Sequence, residues 1–210
     1  PVLDVPQQGA HDVIGNRAYS LHIEQVMALA RAHTAGLMDG GVLPVMKHIP
    51  GHGRAEVDSH HALPVVNARR QDLEQVDFPP FAAFADAPMA MTAHVIYTAI
   101  DRTAPATLSR KLIKSVIRGQ IGFRGLLLTD DLSMKALGGA FAGRARASLS
   151  AGCDVVLHCN GDMAEMKQVV SGTKALSGQA LRRAKAAMAR LAKTPEPFDL
   201  DEARARFDAA

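Results

Sequence analysis

Five apolar runs punctuate the chain, and most of them close on a polar or ionisable residue. They are Val2–Val5 with Asp4 inside it, Val42–His48, Met89–Val95 with His94, Leu126–Asp131 and Val155–Asn160. Between them lie stretches of helical pattern: Ser20–Leu37, Phe78–Ala85, Ser109–Gly119, Met134–Gly152 and Asp162–Leu191. The runs are continuous rather than alternating, as strands covered on both faces require. Strand and helix in alternation predict βα units around a parallel sheet. Ser109 is placed to cap one helix, and Gly119, Gly122 and Gly152 mark helix exits.

Ionisable groups at the ends of successive parallel strands point to an α/β fold of the (β/α)8 TIM-barrel type, whose active sites lie on that face. A doubly wound sheet, with its ligand at the switch point, is the alternative. Five strand-like runs fall short of eight, however. The chain also opens at Pro1 without a Met, and PVLDV already reads as a buried strand. The expectation is therefore a barrel lacking its N-terminal strands. Residues 1–193 would form this partial catalytic barrel, and 194–210 a peripheral C-terminal tail that forms a short helix or frays.

Composition narrows the function classes. With 210 residues, 48% of them hydrophobic and 21% charged, the chain has the balance of a folded globular domain. No Trp and two Tyr leave little for stacking bases, so no nucleic-acid partner is expected. No apolar segment approaches the ~20 residues of a spanning helix, so no membrane partner is expected either. The net charge of +3 is spread out, except for Arg182, Arg183, Lys185 and Arg190. That cluster reads as a solvated helix face, or as a contact for an acidic partner. Cys153 and Cys159 read as buried free thiols of a reducing cytoplasm.

The chemistry concentrates in KHIPGHGRAEVDSHHALP, residues Lys47 to Pro64. An aspartate two residues before a histidine, as in Asp58-Ser59-His60, can orient the imidazole for proton transfer near neutral pH. Lys47, His48 and His52 crowd the same loop. Zinc held by His48, His52, Asp58, His60 and His61 is a competing reading. Pro50 interrupts His48-x3-His52, though, so the two cannot form a metal-binding helical pair. A second constellation is GLLLTDDLSM, Gly125 to Met134, a buried strand ending in two carboxylates. One of them can cap the segment that starts near Ser133; the other would stand at the barrel mouth, able to attack an electrophilic carbon. Arg17, in IGNR, could clamp a hydroxyl or carboxylate. His94 and Asn160, each at a strand end, could line a pocket or be satisfied core polars.

Together KH-x-PGHG-x4-DSHH-x-LP and LLLTDDLSMKAL resemble glycoside hydrolase family 3, specifically its bacterial β-N-acetylglucosaminidases of the NagZ type. PVLDV, IGNRAYS, MTAHVIY and AGCDVVLHCN are similar to that family too, in its order and to about Leu191. The resemblance implies a retaining exo-β-N-acetylglucosaminidase (a β-N-acetylhexosaminidase) with Asp130 as nucleophile and His60, paired with Asp58, as acid/base. Arg17, Lys47 and His48 would bind the N-acetylglucosamine, with His94 and Asn160 beside them. It also implies a cytoplasmic enzyme of peptidoglycan recycling, acting on 1,6-anhydro-muropeptides, with no cofactor and no metal. Such an enzyme would be a monomer when its barrel is complete. An N-acetylglucosaminide phosphorylase, a metal-dependent hydrolase and an inactive sugar-binding fragment are the alternatives. The family's upstream segment with an acidic sugar-binding residue has no counterpart in this chain.

Overall fold

The computed structural model describes residues 1–191, 194–195 and 198–209. In chain order the elements are α1 (Ile23–Asp39), β1 (Val45–Ile49), β2 (Val65–Val66), the helical stretch α2 (70–82), β3 (Met89–Thr92), β4 (Ile96–Tyr97), α3 (110–120), β5 (Leu126–Asp131), α4 (Phe141–Ala151), β6 (Val155–Leu157), α5 (Met163–Ser171), α6 (Gly178–Met188) and α7 (Leu200–Asp208). The main sheet has the order β1-β3-β5-β6, every pair parallel. Val2 bridges Lys47 in parallel and adds residues 1–5 to the β1 edge. Its Leu3 N–H donates to the Lys47 carbonyl at 2.7 Å, and the Lys47 N–H to that of Pro1 at 3.1 Å. Spatial order thus follows chain order around an arc of parallel strands. That is the strand order of a TIM-type barrel, present as an open arc, and the doubly wound alternative falls away because no strand order reverses among the described residues.

The core follows from the apolar runs. Leu3, Met46, Ala90 and Leu127, one from each of four neighbouring strands, are buried in a single cluster with Leu112 and Ile117 of α3. Full burial of a Leu or Met side chain contributes roughly 1.5–3 kcal/mol. The short pair β2–β4 lies apart from this sheet and leads out of the loops that follow β1 and β3. Neither of these two-residue strands has a pattern long enough to read in sequence.

Three helices differ from expectation, each for a local reason. The stretch expected to be helical from Met134 starts at Phe141, because side chains take the polar groups a helix would use. Asp131 accepts from the Ser133 N–H, and the Arg144 guanidinium takes the Leu132 and Met134 carbonyls. The long helix expected over Asp162–Leu191 is two, α5 and α6, parted by residues 172–177. A Cβ on Gly172 would lie 2.3 Å from the Ala142 carbonyl oxygen, so this close approach to α4 requires glycine. The helix expected from Phe78 begins at Arg70, and its middle turn, Leu73–Asp77, is π-helical just before Pro79 and Pro80. Those prolines have no N–H for the preceding carbonyls, which is where a widened turn is tolerated.

Ser109 caps α3 as read, its Oγ accepting from the Leu112 N–H at 3.0 Å. The tail forms the exposed helix α7, capped by Asp199. Among the described residues no helix is long and apolar enough to cross a membrane. Both cysteines are free, but only Cys153 is buried; Cys159 is exposed, correcting the expectation of two buried thiols.

Candidate active site

The site is assembled on the ends of β1 and β5 and in the loops after residues 1–5 and β1. Its organiser is Asp4, fully buried in the first apolar run. The Asp4 carboxylate accepts from the His48 Nδ1 at 2.7 Å, the His48 N–H at 3.2 Å and the His52 N–H at 2.6 Å. Burial alone would raise its pKa. The His48 charge and ring hydrogen bond, then His52, outweigh burial and hold it below the usual carboxylate range. Because a carboxylate only accepts here, His48 carries its proton on Nδ1, and its other ring nitrogen is free of that bond. The only hint of Asp4 in the sequence was a charge inside an otherwise apolar strand.

The rest of the loop is fixed by close backbone approaches. A Cβ on Gly53 would sit 2.0 Å from the Val5 carbonyl oxygen, so only glycine allows the loop to lie against the first strand. The buried Tyr97 hydroxyl donates to the Gly51 carbonyl at 2.6 Å, and Arg54 donates to buried Asp77 at 2.7 Å. Further on, Asp58 makes an Asx turn: it accepts from the His60 N–H at 2.8 Å and from its Nδ1 at 2.7 Å. Slight burial raises the Asp58 pKa, but the bonds from the His60 N–H and ring prevail and hold it below the ordinary value. His60 thus bears a proton on Nδ1 and keeps Nε2 for chemistry. Its side chain is 58% exposed, on a loop held to the segment after β5 by the Ala136 N–H and the Ser59 carbonyl, 3.2 Å apart.

At the end of β5 the two adjacent carboxylates part company. Asp131 is spent on structure, accepting from the Ser133 N–H and hydroxyl and from the Cys159 N–H. Among the described residues Asp130 accepts only from the Asp131 N–H at 2.8 Å, on one oxygen. Its other oxygen is left for a reacting atom. A cavity of about 260 Å³ takes in Asp130, His60, Lys47, His48 and Arg17 together. Arg17 is anchored there by its own guanidinium, which donates to the Val13 and Ile14 carbonyls.

Among the described residues His94 and Asn160 are not part of the lining of this cavity. His94 is fully buried, its Nε2–H donating to the Asp131 carbonyl at 3.0 Å and its Nδ1 paired with the Thr107 hydroxyl. Burial pushes its pKa down against the pull of Asp130, so it props the β5 end as a neutral ring. Asn160 is exposed and engaged with Glu165 and the Asp162 N–H at the entry to α5. His52, which sequence reading set among the possible zinc ligands, is buried on the cavity wall with no partner for Nδ1. Burial lowers its pKa more than the Asp4 charge raises it. Among the described residues no three His, Cys, Asp or Glu side chains converge as a metal cage would require.

The parallel arc thus carries an unencumbered carboxylate at one strand end and a carboxylate-held histidine on a neighbouring loop. The chain belongs to glycosyl hydrolase family 3: the model of that family's N-terminal domain matches residues 1–193. It is 46% identical over 164 residues to a beta-hexosaminidase of Chromobacterium violaceum and 47% identical to one of Alkalilimnicola ehrlichii, covering 76% of this chain in both cases. Those matches cover 45% and 47% of the two relatives, so the chain spans about half the length of the curated relatives it matches. Among solved structures it superposes on NagZ of Neisseria gonorrhoeae in complex with N-trifluoroacetyl-D-glucosamine with a TM-score of 0.79 at 38% identity. That superposition covers 90% of this chain and 54% of the other. A family 3 beta-N-acetylglucosaminidase from Paenibacillus sp. gives a TM-score of 0.84 at 30% identity, covering 95% of this chain and 41% of that one.

Proposed function

We propose that the chain carries the catalytic face of a retaining exo-β-N-acetylglucosaminidase that works by double displacement. The observation that carries this reading is the division of labour at the end of β5, where Asp131 is fully engaged and Asp130 keeps a free oxygen in the cavity. Asp130 attacks the anomeric carbon and forms a glycosyl ester, while His60, as imidazolium, gives its Nε2 proton to the leaving oxygen. The neutral His60 then takes a proton from the incoming water, and the ester opens with overall retention. Asp58 steadies the imidazolium in the first step and fixes its tautomer in the second. Lys47, His48 and Arg17 present donors to the sugar hydroxyls and the N-acetyl group. The relative whose structure holds an N-acylated glucosamine supports that sugar as the substrate class.

Anhydro-muropeptides as substrates, and a cytoplasmic role in wall recycling, belong to the same proposal. They rest on the similarity to the beta-hexosaminidases, as does a carbohydrate as the partner. The test is turnover of an aryl N-acetyl-β-glucosaminide by the chain and by its Asp130→Ala variant. The reading expects a loss of roughly ten-thousand-fold. Activity within tenfold of the parent would overturn the assignment of the nucleophile.

A further inference from the structure

A second cavity, of about 480 Å³, opens at the other end of the sheet, where the strands begin. Pro88 and Gly125, immediately before β3 and β5, lie in its wall. Asp130 and His48 are at the opposite ends of their strands, so this cavity is separate from the catalytic one. Its other wall is α6. Arg182 and Ala186 lie four residues apart on it, with Arg183 and Ala187 beside them, and Arg190 follows in the short 3-10 turn Ala189–Leu191. Residues four apart share a helix face, so α6 turns the Arg182 guanidinium and the Ala186 methyl toward the cavity, and the turn after it adds Arg190. The basic cluster is solvated as read, with Arg182, Lys185 and Arg190 exposed, and three of its arginines border a concave surface.

Charge in this cavity is out of balance. Four guanidiniums, of Arg124, Arg182, Arg183 and Arg190, meet one carboxylate in the wall, Asp86. Behind them Asp154 serves two cations at once: Arg183 at 2.8 Å through one oxygen and Arg118 at 2.8 Å through the other. That trio therefore keeps a net positive charge. Burial chiefly, with the Arg183 charge adding to it, brings the Arg118 pKa down to about 10 despite Asp154. The Nε of Arg183 is buried without a hydrogen-bond partner. Arg182 spends its fork on the neutral Gln179 amide oxygen, and among the described residues neither it nor Arg124 is ion-paired. Gathered like charges cost stability, and a bound anion offsets that cost.

We propose that this cavity binds a phosphate monoester, with the phosphoryl group on the guanidiniums and an uncharged body against Ala87, Pro88 and Ala186. Phosphate matches the planar guanidinium fork, accepting two parallel hydrogen bonds from one arginine and further bonds from its neighbours. A cavity of about 480 Å³ exceeds what the phosphoryl group alone would fill, and the apolar side gives the remainder of the ligand a surface. This site is independent of the glycosidase reading, since no residue of the catalytic cavity takes part.

The test is isothermal titration of the chain with phenyl phosphate in a chloride buffer, with phenol as the uncharged control. Saturable binding of phenyl phosphate and none of phenol is expected. The Arg182→Gln/Arg190→Gln double variant should weaken binding by at least about tenfold, as expected for two lost charge-assisted bonds. Lys47→Gln, in the catalytic cavity, should leave the affinity unchanged. If the double variant melts early, Arg124→Gln serves in its place, with a loss in the same direction. Absence of binding by the parent chain, binding that survives the arginine substitutions, or binding abolished by Lys47→Gln would each overturn the proposal.

Discussion

Replacing Asp4 with alanine is expected to cost more stability than any other polar substitution on the catalytic face. Its carboxylate is fully buried and joins the first strand to the loop after β1 through the backbones of His48 and His52 and the ring of His48. Hydrogen bonds to a charged acceptor contribute about 1.5–3 kcal/mol each, but removing the carboxylate also removes the cost of having buried it. The net loss is therefore that of breaking a buried pair, about 3–5 kcal/mol. With a urea slope near ~2 kcal/mol per molar for a domain of this size, the midpoint should fall by roughly 2 M. The same contact makes a prediction in pH. The Asp4 pKa is lower in the folded chain than in the unfolded one, so its contribution is complete above the unfolded value near ~4. It is lost as pH falls through the folded value, and Asp4→Asn should remove that part of the acid limb. Equilibrium urea unfolding followed by circular dichroism, repeated from pH 7 down to 3, reads both effects. An Asp4→Ala midpoint within 0.3 M of the parent, or an acid limb unchanged in Asp4→Asn, would refute the role given to this contact.

Three further outcomes follow from the same geometry. Asp77 has the opposite pH signature. Burial, against the pull of Arg54, raises its pKa to about 6, so folded chains hold its proton more tightly than unfolded ones. Stability should decline by up to about 3 kcal/mol as pH rises from the unfolded value near 4 to 6, and unfolding of Asp77→Asn across that window should lack the decline. Gly53→Ala would place a Cβ 2.0 Å from the Val5 carbonyl oxygen, and a loss of about 3 kcal/mol or more is expected by thermal unfolding. His60→Ala should slow aryl N-acetylglucosaminides with poor leaving groups far more than activated ones, because only the former need a proton in the first step; equal losses across a leaving-group series would remove His60 from the acid role.

The fold was legible where one signal dominated. Continuous apolar runs located the strands of the parallel arc, and Ser109 and Gly152 marked helix ends. What could not be read depended on partners distant in sequence. Nothing near Met134 announces that Arg144 will take its carbonyl, nor does Gly172 reveal locally that α4 presses against it. The candidate site was legible in its reactive groups, since Asp130, His60, Asp58, Lys47, His48 and Arg17 stand in two dense loops and one short motif. Its supports were not. Asp4 acts across 44 residues on His48, and His94 acts across 37 on the carbonyl of Asp131. A strand-end position alone does not separate a cavity wall from a buried prop, and that is why His94 and Asn160 could be read either way.

The proposed mechanism turns on Asp130 as the nucleophile that forms a covalent glycosyl ester. Incubation of the chain with a 5-fluoro glycosyl fluoride of N-acetylglucosamine, followed by intact mass and peptide mapping, tests it most directly. One added sugar is expected, carried by the peptide that contains Asp130 and absent from the Asp130→Ala variant. An adduct on a different carboxylate, or none at all while an aryl N-acetylglucosaminide is still turned over, would contradict it.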